Sequence, residues 1–133
     1  MFLRLKKEKG AAAVEFALLL PLLVVIVFGI TTFGFVYKEY IALTHAARDG
    51  VRLAAVGKDY AYIRNQIEKD LPKEIIQSVT IYPFLPTART VGYSVTVTVK
   101  RIPIDMKIPF LVIPPFELIS TAEMRVEYNI PEE

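Results

Sequence analysis

One carboxylate, Glu15, lies at the start of the longest apolar stretch in this 133-residue chain. The 22 residues that follow it, 16–37, contain no Asp, Glu, Lys, Arg or His. A carboxylate at the depth of a bilayer is costly unless a positive group pairs with it. Glu15 therefore predicts a role in helix registration and assembly through a cationic partner. The alternative is a side chain that only reaches the lipid headgroups.

Other groups suited to catalysis or metal binding are scarce. The chain has no Cys and a single His, His45, which excludes disulfides, thiolate metal sites, a Cys nucleophile and any site with several His ligands. His45 is the one histidine that could act as a general base for a serine nucleophile, and it lies in a different predicted element from Ser78, Ser94 and Ser120. The glycines form no phosphate-binding loop. We expect no enzyme, no cofactor and no metal.

The apolar stretch is long enough to cross a membrane. As a helix, residues 16–37 measure about 33 Å, against about 30 Å for a bilayer core. The first ten residues carry a side-chain net charge of +3, whereas the remainder carries −1. By the positive-inside rule the N-terminus is cytoplasmic and the rest of the chain extracytoplasmic. The bilayer is thus an expected partner, and nucleic acid is not, since no other basic run exists.

Three interpretations of this N-terminus compete. A secretory signal peptide fits poorly, because the run is too long and the small residues at 11–13 precede it. An uncleaved membrane anchor is the second interpretation. The third rests on the junction at residues 9–16, Lys-Gly-Ala-Ala-Ala-Val-Glu-Phe, which resembles the processing site of type IV prepilins. That resemblance implies cleavage after Gly10, which would place a new ammonium on Ala11, one helical turn from Glu15.

Further segments resemble the TadE-like family, pseudopilins of the tight-adherence (Flp) pilus system. They are residues 10–21, 28–30, 46–55 and, more loosely, 119–127. The resemblance implies a minor pilin, a structural subunit of the pilus that works in a homo- or hetero-oligomer. The implied partners are other pilin subunits, a prepilin peptidase and the pilus assembly platform. The alternative from another class is an uncleaved single-pass anchor whose outer domain binds another envelope protein.

Two features within the resembling segments have alternative explanations. Pro21 either bends the membrane helix for packing among pilin helices or is incidental, since membrane helices tolerate proline. The run Arg48-Asp49-Gly50-Val51-Arg52 places two guanidinium groups one turn apart. They could bind a partner's carboxylates or tie the helix to acids of its own domain. We slightly favour the tie within the domain.

The elements that would position these residues form an α+β, pilin-like fold. A helix is predicted from 11 to about 56, stopped by Gly57, with residues 1–10 as a cleaved leader and 11–37 in the membrane. Residues 38–133 form the extracytoplasmic domain. Asp59 caps a second, short helix that ends at Pro72. Strands are predicted at 77–82, 91–100 and 122–128, as a three-stranded antiparallel sheet with one buried face.

A proline-rich segment, 103–118, separates the last two strands and is unusually apolar for a loop. Two alternatives follow. It folds over the sheet as a core flap, or it is an exposed patch for a subunit or the bilayer. The flap is slightly favoured.

Overall fold

The computed structural model describes residues 2–127, with side chains described from residue 10 onward. Its helices are α1 (Phe2–Ala55) and α2 (Tyr60–Asp70). Its strands are β1 (Ile76–Tyr82), β2 (Ser94–Arg101), β3 (Lys107–Ile108), β4 (Leu111–Val112) and β5 (Ile119–Arg125). Strands β1, β2 and β5 form an antiparallel sheet with β2 in the centre, and β3 pairs with β4. The predicted α+β fold is therefore confirmed.

The described chain divides into two compact units. One contains α1 as far as Phe35 together with Asp105–Pro114. The other contains Val36–Ile104 and the chain from Pro115 onward. In the second unit, the last part of α1, α2 and the three-stranded sheet enclose the hydrophobic core.

Small residues on α1 explain how the helix packs against this core. Ala46, Ala47, Ala54 and Ala55 are all almost completely buried. Short side chains let neighbouring elements approach the helix backbone closely. Three valines of β2, at alternate positions 95, 97 and 99, are fully buried on the facing side of the sheet. Each contributes about 1.5–3 kcal/mol of burial energy.

Helix α1 ends where glycine predicted it would. Gly57 has a φ of 80°, a left-handed conformation that a residue with a side chain adopts only with strain. Its amide donates to the carbonyl of Ala54, and the amide of Lys58 donates to that of Leu53. These bonds close the helix in the manner of a Schellman motif.

Helix α2 begins and ends close to its predicted limits. The Asp59 side chain accepts a hydrogen bond from the amide of Tyr62, the predicted N-cap. Ile63 and Ile67 are buried on one face, and Leu71 closes the helix immediately before the proline at 72. The cap at Asp59 and the stop at Pro72 therefore predicted the limits of this helix.

An unpredicted residue, Arg89, fixes the connection after β1. Arg89 is 3% exposed, and its guanidinium donates to four backbone carbonyls: Ala54 (3.3 Å), Lys58 (2.6 Å), Pro83 (3.1 Å) and Phe84 (3.0 Å). Burial lowers the pKa of Arg89, and the nearby carboxylate of Asp59 opposes that shift. A cation at the C-terminal end of a helix also meets the negative end of its dipole. Arg89 thus joins the end of α1 to the loop that follows β1.

Two strand predictions need correction. Val91 and Tyr93 were expected in the second strand, but β2 starts at Ser94 and both side chains are exposed. Gly92, with a φ of 88°, forms a turn there and breaks the alternating pattern. The last strand begins at Ile119, earlier than the predicted 122, and ends at Arg125. Tyr128, placed in that strand by its alternation, lies outside the described residues.

The apolar segment 103–118 matches neither alternative as a whole. It contains the short β3–β4 pair, a hairpin that the prolines did not predict. Met106 and Ile108 are buried, whereas Phe110 and Val112 are 81% and 99% exposed. The prediction of a flap that covers the sheet was wrong for this exposed part.

Gly50 lies at a close approach between α1 and the rest of the core. A Cβ atom at this position would lie 3.0 Å from Cδ1 of Ile67 and 3.2 Å from Cγ1 of Val97. Glycine in the middle of a helix costs about 1 kcal/mol relative to alanine. Close packing of α1 against α2 and β2 explains why a poor helix former occupies this position.

We predict that Gly50→Val destabilises the domain by about 1–3 kcal/mol, because the larger side chain overpacks this contact. The measurement is thermal or urea unfolding of the full chain in detergent, followed by near-ultraviolet circular dichroism of its tyrosines. Asp49→Val is the matched control, since it puts the same β-branched side chain on the exposed face of the same helix. Equal stability of the two variants would contradict the close-packing account.

Candidate functional site

The apolar part of α1 is exposed in this chain. None of its most hydrophobic window is buried, and Leu18 and Ile30 are 75% and 70% exposed. By length and composition, α1 is the one helix in the described chain able to cross a membrane. An uncovered apolar surface of this size requires lipid or other apolar helices around it.

Glu15 and the residues at the expected cleavage point lie on the same helix. Gly10 and Ala11 are exposed, and the bond between them lies inside α1. The space around a Cβ at Gly10 is open to 4 Å, so no packing within this chain requires glycine there. Glu15 is also exposed and makes no ion pair within residues 10–127. Its carboxylate is available to a charge supplied from outside the described chain.

Pro21 lies inside α1, and the helix continues through it. The residue is exposed, so it makes no buried contact that would fix a bend within this chain. The proline removes one backbone donor, whose usual acceptor carbonyl is left free. In a membrane, a neighbouring helix or water satisfies such a carbonyl.

The motif at residues 48–52 divides into two parts with different surroundings. Gly50 points into the core, as described above. Arg48, Asp49 and Arg52 are exposed, and none of them makes an ion pair within residues 10–127. The two guanidinium groups therefore lie on the outer side of α1.

Arg48 also lines a groove between α1 and strand β5. The groove has a volume of about 560 Å³. The helix contributes Tyr40, Thr44, Arg48 and Val51, and the strand side contributes residues 119–124. Ser120 donates a hydrogen bond of 3.3 Å to the hydroxyl of Thr44 where the two elements meet. β5 is an edge strand of the sheet, and the groove beside it is lined by one cation, Arg48, and one carboxylate, Glu123.

The ion pair that connects the helix to the sheet involves residues that sequence reasoning missed. Arg101 Nε lies 2.7 Å from Glu39 Oε2, and the Arg101 side chain is only 14% exposed. Arg101 Nη1 also donates to the carbonyl of Ile102. Glu39 lies on α1, and Arg101 is the last residue of β2. No spacing rule links positions so far apart in sequence.

The described residues contain no group of three or more His, Cys, Asp or Glu side chains arranged to hold a metal ion. His45 is exposed on α1. The features of the described residues that suit binding thus lie on the surface. They are the exposed apolar helix with one carboxylate, and the exposed arginine pair, of which Arg48 lines a groove.

Comparison with known proteins gives a family match over the helix that carries these surfaces. Residues 10–52 match the model of the family described as "TadE-like protein". No curated protein and no solved structure matches the chain. The match covers the apolar helix, Glu15 and the arginine motif, and confirms the resemblance recognised in the sequence. Over residues 10–52 the chain is therefore similar to the TadE-like family, which is associated with tight-adherence (Flp) pilus systems.

Proposed function

We propose that this protein is a minor pilin, a structural subunit that takes part in assembly of a tight-adherence pilus. The exposed apolar helix, with Glu15 at its start, is the observation that carries the proposal. Such a helix can be held in the bilayer before assembly and packed among other pilin helices afterwards. Both states cover the same apolar surface, so transfer between them need not expose it to water. The expected location is the cytoplasmic membrane, as a single-pass protein with its domain outside.

Processing at Gly10 is the first step of this proposal. The scissile bond lies within α1, so a peptidase must locally open the helix to reach the backbone. Glycine favours that opening because it makes a helix less stable by about 1 kcal/mol relative to alanine. It also leaves the backbone uncovered by a side chain. The cut removes the basic leader and leaves an ammonium on Ala11.

Gly10→Val should block cleavage by a prepilin peptidase, because the branched side chain crowds the backbone that the peptidase must approach. The measurement is N-terminal sequencing, or intact mass, of protein from a host that expresses the cognate peptidase. Gly29→Val is the control, since a Cβ at either glycine has open space within the chain. The control should begin at Ala11. A wild-type chain that keeps Met1 in this host would instead favour the uncleaved anchor that binds another envelope protein.

Glu15 is proposed to set the register of neighbouring helices. The ammonium on Ala11 of one subunit would pair with Glu15 of the next, and so compensate both charges at membrane depth. A pair between subunits fixes their axial offset, because apolar contacts alone allow helices to slide. The absence of a partner for Glu15 within residues 10–127 leaves its carboxylate available for that contact.

Glu15→Gln should be inserted and cleaved normally but should co-purify less with pilin partners and reduce the number of pili. The amide keeps the volume and removes the charge, so the loss reports electrostatics. Glu15→Asp is the control that keeps the charge, and it should retain more assembly. If the Gln variant assembles as well as the wild type, Glu15 has no part in registration.

The exposed arginines are proposed as a second contact with a neighbouring subunit. Arg48 and Arg52 lie outside the core, so their charge is available to carboxylates of a partner. Asp49 lies between them and is also exposed, whereas Gly50 serves the core. This arrangement favours partner binding over the tie within the domain that sequence reasoning slightly preferred. The helix-to-sheet ion pair is made elsewhere, by Glu39 and Arg101.

Charge reversal tests this second contact. Arg48→Glu combined with Arg52→Glu should leave the unfolding temperature nearly unchanged, because exposed charges contribute little to stability. The variant should lose pilin partners in co-purification. Reversal at another exposed cation, Lys69→Glu on α2, is the control and should have no effect on partners. A clear loss of stability in the double variant would instead support a structural tie.

A further inference from the structure

The tip of the β3–β4 hairpin, residues 110–112, presents three apolar side chains to the surroundings. Phe110 is 81% exposed, Leu111 49% and Val112 99%. The run 108–116 around it contains no ionisable side chain. Isolated exposed apolar residues are common on proteins, but three in succession at the end of a hairpin form a protruding apolar surface.

The backbone holds this tip in a defined shape. Lys107 pairs with Val112 and Ile108 with Leu111, which leaves Pro109 and Phe110 as the turn. Phe110 has a φ of 65°, in the left-handed region that favours glycine or asparagine. A phenylalanine there adds strain to the turn, and its ring gains little burial within the chain. The residue is better explained by a contact outside the protein.

We propose that the hairpin tip inserts into the lipid–water interface of the bilayer that holds α1. The tip belongs to the same compact unit as the apolar part of α1, up to Phe35. The medium that covers this unit's helix is therefore the expected medium for its other apolar surface. Aromatic and aliphatic side chains are the groups that enter the boundary between headgroups and acyl chains. Lys107 and Asp105, an exposed ion pair with 3.8 Å between Nζ and Oδ2, lie at the base of the tip, where the zone of polar headgroups would surround them.

The size of the tip favours lipid over a second protein. A stable protein interface takes about 20–30 residues from each side, far more than three side chains at a turn. Partial insertion into a bilayer needs only a few apolar groups, because lipid molds itself around each of them. The inference rests on membrane insertion of α1 but is independent of the pilus role.

The chain has no tryptophan, so a single substitution supplies a unique fluorescent reporter. The full chain carrying Val112→Trp is reconstituted into vesicles of phosphatidylethanolamine and phosphatidylglycerol, with and without brominated acyl chains. We expect a blue-shifted emission that bromolipid reduces by about half or more and that aqueous iodide hardly changes, as for a side chain in the interface. Adding Phe110→Asp to this variant should shift its emission back toward that of an indole in water.

Two further reporters separate the possible failures. Phe28→Trp, in the apolar part of α1, should be quenched by bromolipid and so reports helix insertion by itself. Tyr93→Trp, exposed in the turn before β2, should be quenched by iodide. If iodide quenches the indole at position 112 as it does the indole at 93, while bromolipid quenches the indole at 28, the helix is inserted but the tip is not. Protection from both quenchers, or a signal that changes with the protein-to-lipid ratio, would identify a protein contact and also overturn the proposal.

Discussion

The molecule depends on one constraint: a single helix must be stable in two different surroundings. Residues 16–37 of α1 are apolar on all sides and mostly exposed, whereas the last part of the helix buries one face against α2 and the sheet. The first part needs a low-dielectric medium around it; the second needs close packing on one side only. Because the helix is continuous from Phe2 to Ala55, both requirements act on one element. The sequence changes from large apolar residues to an alanine-rich pattern along it.

The way α1 is held in the domain follows from this change. Alanines and Gly50 permit close approach, so dispersion and burial hold the helix to the core rather than charge. Arg89 then binds carbonyls at its C-terminal end, and Glu39 with Arg101 adds an ion pair on the side of the sheet. These contacts do not involve the side chains of Arg48 and Arg52, which are exposed and make no ion pair within residues 10–127. A surface that the fold does not need is the natural place for a binding contact.

Most of the correct predictions came from patterns among residues that are close together in the sequence. The stop of α1 at Gly57, the cap at Asp59 and the buried face of β2 all depend on neighbouring residues, and each was predicted from a local pattern. The start of α1 was not predicted, because the helix begins at Phe2 rather than at residue 11. Arg89 could not be predicted, because its four acceptors lie in two stretches, at the end of α1 and after β1, that only the folded chain brings together. Glu39 and Arg101 are missed for the same reason. The hairpin at 107–112 was not predicted, because the prolines around it were read as evidence against regular structure. Proline also favours tight turns, and Pro109 lies in the turn of this hairpin.

The central claim is that α1 spans the membrane with the basic leader inside and the domain outside. The chain has no cysteine, so single cysteines at Lys6 and at Tyr93 can be labelled without background. The measurement is reaction with a membrane-impermeant maleimide on spheroplasts of a host that lacks the peptidase. The account predicts that Tyr93→Cys is labelled on intact spheroplasts and that Lys6→Cys is labelled only after the membrane is opened. Labelling of Lys6→Cys but not Tyr93→Cys on intact spheroplasts, or of both, would contradict it.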